Sequence, residues 1–158
     1  MLNIDKMQDK LHDTMTQAAP EAQLSIEHET GTTRLVGAKF TLVATISPKE
    51  VSYHLSTTIS VGGIKPTISG TADYYPYLGD KELERVASTI YDELLTVIKN
   101  IKQRTIYVGC SGKKVYIAWK TPEWRMRTFK RSWLGSIDVK ESIATQGTID
   151  DLDLCKLL

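Results

Sequence analysis

The longest regular alternation of apolar and polar positions runs from Asp80 to Gln103. Leu83, Val86, Ala87, Ile90, Leu94, Val97, Ile98 and Ile101 recur at three- and four-residue intervals. On a helical wheel they share one arc roughly 120° wide, which predicts a helix that buries one side. Asp80 suits the N-cap, Glu82 and Glu84 the positive end of the helix dipole, and Lys99, Lys102 and Arg104 the negative end. A shorter stripe of Ile4, Met7, Leu11, Met15 and Ala18 predicts an N-terminal amphipathic helix stopped by Pro20.

Between these helices the period falls to two. Leu24, Ile26 and His28 alternate with polar residues and lead into a turn at Thr30 to Thr32. Val36, Ala38, Phe40, Leu42, Ala44 and Ile46 read as one strand with a single apolar face. After a turn at Ser47 to Glu50, Val51, Tyr53, Leu55, Thr57, Ile59 and Val61 alternate with Ser52, His54, Ser56, Thr58 and Ser60. Gly62 and Gly63 then turn the chain into a strand bearing Ile64, Ile68 and Ala72, where Pro66 points to a sheet edge. Such strands predict an antiparallel sheet with one face in the core, built from Val36, Phe40, Leu42, Tyr53, Leu55 and Ile59 under Ile90, Leu94 and Ile98.

Beyond the long helix, Arg104 to Ser111 predicts a strand, and Val115, Ile117 and Trp119 another. Pro122 turns the chain into a returning strand from Trp124 to Trp133. Ser136 to Thr145 reads as a short helix, and Thr148 to Leu158 is apolar all round a helical wheel. The predicted class is α+β: an antiparallel sheet of about six strands with an N-terminal helix and one long helix packed on a face. A single domain is expected over residues 1–158. Its sub-division gives a helix/four-strand/helix unit at 1–103 and a basic hairpin with a C-terminal segment at 104–158.

Composition adds little to this until charge is mapped. A 41% hydrophobic and 25% charged chain is ordinary for a globular domain, and no apolar run approaches the roughly 20 residues that span a bilayer. Residues Met1 to Lys6 lack the basic end and apolar core of a signal peptide, so a cytoplasmic protein with Cys110 and Cys155 as free thiols is expected. The net charge of +1 conceals three blocks: −5 over residues 1–98, +9 over 99–131 and −3 over 132–158. A basic block between acidic ones points to an anionic partner, or to neutralisation within the fold.

The block coincides with the hairpin 114–131. If Thr121 and Trp124 close its turn, Trp119/Met126, Ile117/Thr128 and Val115/Lys130 share one face. Lys120/Arg125, Ala118/Arg127, Tyr116/Phe129 and Lys114/Arg131 share the other. That register gathers five cations and an aromatic pair and sets like charges opposite one another at Lys120/Arg125 and Lys114/Arg131, each disfavoured by up to about 1 kcal/mol. Lysine and arginine on phosphates with aromatic rings on bases is the chemistry of single-stranded DNA or RNA binding. The candidate nucleic-acid site is therefore Lys113, Lys114, Tyr116, Lys120, Arg125, Arg127, Phe129, Lys130 and Arg131. Two other readings stand beside it. The same cations suit an acidic protein partner in a non-enzymatic modulator or inhibitor, for which Tyr74, Tyr75 and Tyr77 are alternative anchors, or they form a solvated face.

Catalytic and metal chemistry find little support. Gly109 to Lys114 fails as a phosphate loop, because Tyr107 stands five before Gly112 and Lys114 replaces the metal-holding Ser or Thr; a hairpin turn is expected. His12, His28 and His54 lie on separate elements without ligand spacing, and no orienting acid or oxyanion site accompanies them. No cofactor, metal or catalytic residue is nominated. The uncharged row Ser52, Ser56, Thr58 and Ser60 lacks charges that discourage association, which leaves a homo-oligomer open alongside plain solvation.

Overall fold

The computed structural model describes residues 3–58, 60, 62–73, 80–151 and 154–156. Both helices form where the apolar stripes lie. α1 (Ile4–Ala18) begins at Asn3, whose side-chain oxygen accepts the Lys6 N–H at 3.1 Å, and buries Leu11, Met15 and Ala18. α2 (Asp80–Gln103) buries Ala87, Leu94, Val97, Ile98 and Ile101, with Val86 and Ile90 packed at the margin. Arg104 then leaves the helix at a φ of 58°.

The architecture is α+β, with ten strands among the described residues in two five-stranded antiparallel sheets rather than one of six. The first is a meander, β1 (Gln23–Glu27), β2 (Thr32–Val36), β3 (Phe40–Ile46), β4 (Glu50–Thr57) and β5 (Thr67–Asp73), with neighbours in sequence neighbours in the sheet. The expected strand from Val36 to Ile46 is broken into β2 and β3, because Gly37 N–H bonds to Phe40 C=O at 2.9 Å and folds the chain back. Gly37 is required there. A Cβ built on it would stand 2.7 Å from Cδ1 of the buried Phe40 ring, closer than carbon atoms pack. Val36 ends β2 on the outer face and is exposed, which removes it from the expected core. Phe40, Leu42, Tyr53, Leu55, Leu94 and Ile98 are buried together as expected; Ile59 and Val61 lie outside the described residues. β5 is an edge, as Pro66 required.

The second sheet runs β10-β6-β7-β8-β9, from β6 (Ile106–Ser111), β7 (Lys114–Lys120), β8 (Trp124–Arg131), β9 (Ile137–Ala144) and β10 (Leu154–Lys156). The expected short helix over Ser136 to Thr145 is β9. Its apolar residues Ile137, Val139 and Ile143 alternate with Asp138, Lys140 and Ser142, and eight consecutive residues pair with β8. After it, the six-residue α3 (Gln146–Asp151) lays Ile149 on Ala118 and Trp124, and Trp124 Nε1 donates to Gln146 Oε1 at 2.7 Å.

α2 joins the two sheets. It packs on α1, β4 and β5 and reaches β7 through Asn100, which is 2% exposed. The Asn100 carboxamide oxygen accepts Lys120 N–H (2.7 Å) and Thr105 Oγ1 (2.6 Å), while Nδ2 donates to Lys120 C=O (2.6 Å) and Thr96 C=O (2.8 Å). Ile106 opposes Trp119, so the position opposite Lys120 would belong to Thr105, where β6 has not yet begun. A helix side chain thus supplies the pair of bonds that a strand would have made.

Candidate nucleic-acid interface and the adjoining cleft

The 114–131 hairpin forms, but one residue out of the register expected from its turn. Lys120 opposes Trp124, and the loop is Thr121-Pro122-Glu123, closed by Thr121 N–H and Oγ1 both donating to Glu123 C=O (2.8 and 2.6 Å). The pairs are then Trp119/Arg125, Ala118/Met126, Ile117/Arg127, Tyr116/Thr128, Val115/Phe129 and Lys114/Lys130. A one-residue slip turns every β8 side chain to the other face. Burial decides it, because this register sets Phe129 among Val115, Ile117 and Val108 in the main core, where the turn-based register would have put Lys130.

The expected cluster is consequently divided. Lys114, Tyr116, Lys120 and Lys130 share the outer face, and Lys113 sits in the β6–β7 turn beside Gly112, whose φ is 60°. Arg125, Arg127 and Arg131 follow Phe129 onto the inner face. The like-charge pairs Lys120/Arg125 and Lys114/Arg131 do not occur; Lys114 opposes Lys130 instead, and Lys130 has Asp138 on its other side. Lys140 enters this face opposite Thr128. Among the described residues, Lys113, Lys114, Lys130 and Lys140 make no ion pair. Lys120 lies at the far end, with Nζ 5.3 Å from the centroid of the Trp124 ring.

The β8–β9 turn falls at the same end of the sheet as Lys113 and Lys114. There Trp133 and Leu134 are 93% and 74% exposed, packed on nothing that would explain an aromatic residue. The sequence pattern ends a strand at Trp133 and assigns it no role. The signal was present, since a Trp-Leu pair before Gly135 is an unusual turn composition. Tyr74, Tyr75 and Tyr77 lie outside the described residues.

Two of these arginines, Arg125 and Arg127, border a cleft of about 380 Å³ between α2 and β8, lined also by Tyr53, Asp92, Glu93, Trp119 and Glu141 with three threonines. Arg127 is fixed in its wall: its guanidinium lies 5.4 Å from the Trp119 ring centroid, Nε donates to Glu141 (3.4 Å) and Nη1 to Ser69 C=O (3.2 Å). Opposite it, Tyr53 Oη donates to Glu93 at 3.1 Å, and the Tyr53 ring rests where a Cβ on Gly70 would otherwise stand. Burial, and then the Glu93 carboxylate, hold the Tyr53 phenol well above its ordinary pKa, so it stays a neutral donor. The cleft walls are thus largely paired with each other. Arg125 projects from its rim, exposed.

The remaining candidates resolve simply. Cys110 is a free, exposed thiol on β6, and the Cys155 side chain lies outside the described residues. His12 bonds Thr33 (3.0 Å) inside the α1–β2 contact, while His28 and His54 face solvent. Among the described residues no three His, Cys, Asp or Glu side chains converge as a metal site, and no helix is long and apolar enough to cross a membrane. Compared with protein-family models, curated proteins and solved structures, the chain matches none.

Proposed function

We propose that the protein is a non-enzymatic intracellular module that binds single-stranded nucleic acid across the outer face and turn end of its second sheet. The observation that carries the reading is the direct opposition of Lys114 and Lys130 on a face where Lys113 and Lys140 add charge, a single acid, Asp138, opposes Lys130 from β9, and Trp133 stands bare at the corner. Like charges paired across a sheet repel, and a phosphate between them turns that repulsion into attraction. Tyr116 on the face and Trp133 at its end supply ring surfaces on which bases stack. The site differs from the one expected from sequence. Lys113, Lys114, Tyr116 and Lys130 remain, Lys140 and Trp133 join, and Arg125, Arg127 and Phe129 leave for the cleft and core.

The test is a titration of labelled oligo-dT and oligo-U, followed by anisotropy at several salt concentrations. Replacing Lys114 and Lys130 with Ala should weaken binding to all sequences alike and flatten the salt slope by about 0.7 per lost contact. Trp133→Ala should leave the slope unchanged and cost roughly 1–3 kcal/mol. Trp119 and Trp124 are buried, so shielding of tryptophan emission from a soluble quencher on binding would report Trp133. An acidic protein held by the same lysines predicts instead no oligonucleotide binding even at low salt, and that result would end the nucleic-acid reading.

A further inference from the structure

β9 is an edge strand whose far side meets no other strand among the described residues. Edge strands of monomeric proteins are usually short, charged or covered. This one has eight residues, and Ile137, Val139 and Ile143 on its inner face are 46%, 55% and 64% exposed. With Trp133 and Leu134 in the preceding turn, five large apolar side chains face water within eleven residues. Single exposed apolar residues are normal, but a row along an unpaired edge marks an interaction surface.

We propose that the occupant of this edge is β9 of a second copy of the chain, added antiparallel about a two-fold axis through Val139 to make a continuous ten-stranded sheet. Charge selects both the partner and the register. With Val139 opposite its own counterpart, Asp138 faces Lys140 of the second copy and Lys140 faces Asp138 of the second copy, both on the outer face. Shifting the axis to Asp138, Lys140 or Glu141 sets that residue against its own like charge, and shifting it to Ser142 pairs no opposite charges. Ile137 falls opposite Glu141 of the second copy, whose carboxylate is already drawn to Arg127 at 3.4 Å. The same register carries the Trp133–Leu134 turn toward Ile143 and Ala144 of the second copy, covering apolar surface on both. A C2 interface of this kind is self-complementary and closed, so it ends at a dimer. Its modest extent fits a micromolar dissociation constant. The pairing engages Lys140 and Trp133, which the nucleic-acid reading also uses, so the two occupants compete there, and sedimentation without oligonucleotide tests the pairing alone.

Sedimentation equilibrium over a concentration series tests it. The wild-type chain should pass from monomer to dimer. Asp138→Lys and Lys140→Asp, each alone, should weaken self-association about tenfold, because each turns two attractive pairs into repulsive ones. Mixed in equal amounts, the two variants should form a heterodimer at least as tight as wild type. One chain then carries lysine at both positions and the other aspartate at both, so every cross-interface pair is again attractive. Pairing in the mixture would also certify that both variants fold. A wild-type chain that stays monomeric at about 200 μM overturns the proposal. So does a dimer indifferent to either single change, which would place the interface elsewhere.

Discussion

Asn100 is the residue whose replacement best tests how the long helix is tied to the second sheet. Its carboxamide donates to Lys120 C=O and Thr96 C=O and accepts from Lys120 N–H and Thr105 Oγ1, at 2.6–2.8 Å and with 2% of the residue exposed. Asn100→Ala leaves both backbone groups of Lys120 without partners. A buried polar group left unsatisfied costs about 1–3 kcal/mol. The Lys120 side chain is exposed, so water reaches part of the vacated site and the expectation falls toward the lower end, about 2–4 kcal/mol for the pair. Asn100→Asp keeps the volume and the acceptor but sets a carboxylate against two carbonyl oxygens. Its pKa in the folded state must therefore rise above the unfolded value of about 3.9. A group with a raised folded pKa stabilises fully below the unfolded pKa and loses that contribution as pH climbs through the folded one. The deficit of the Asp variant should accordingly be small near pH 3 and largest at pH 7. Urea unfolding at the two pH values measures this, and amide exchange at Lys120 should report a local loss of protection. A penalty below about 0.5 kcal/mol for Asn100→Ala, or an Asp variant as stable as wild type at pH 7, would refute the clamp.

Two further outcomes follow from the first sheet. Gly37→Ala should drive the Phe40 ring from its place and cost about 1–3 kcal/mol, with part regained by Phe40→Leu in the same chain; purely additive unfolding energies would show the two do not touch. Tyr53 should be missing from the reversible alkaline titration of tyrosines at 295 nm, because burial and Glu93 raise its pKa above the unfolded value of 10.0. Its contribution to stability is full below that value and fades as pH rises beyond it, and Tyr53→Phe should flatten this fall. Reversible ionisation of all seven tyrosines near pH 10 in the folded protein would contradict the geometry.

The elements that sequence determined are those whose signal is local and periodic. α1 and α2 form over their apolar stripes, and β4 and β5 follow a period of two on either side of the Gly62-Gly63 turn. Where the signal was local but ambiguous, the pattern misled: Val36 to Ile46 keeps one parity through the Gly37 turn, so a hairpin was indistinguishable from a strand until Phe40 packed against the glycine. Ser136 to Thr145 reads from sequence as a short helix although Ile137, Val139 and Ile143 keep a period of two, and it is pairing with β8 that supplies its backbone bonds as a strand. The candidate site divides along the same line. The +9 block and the hairpin were visible in the chain, but its faces were not, because register depends on which aromatic residue the core accepts. Phe129 entering the core moved Arg125, Arg127 and Arg131 to the inner face, left Lys114 against Lys130 outside, and brought Lys140 in from a strand more distant in sequence. Local periodicity fixes which residues can share a face. Only tertiary burial, worth more than a turn's preference, chooses which face it is.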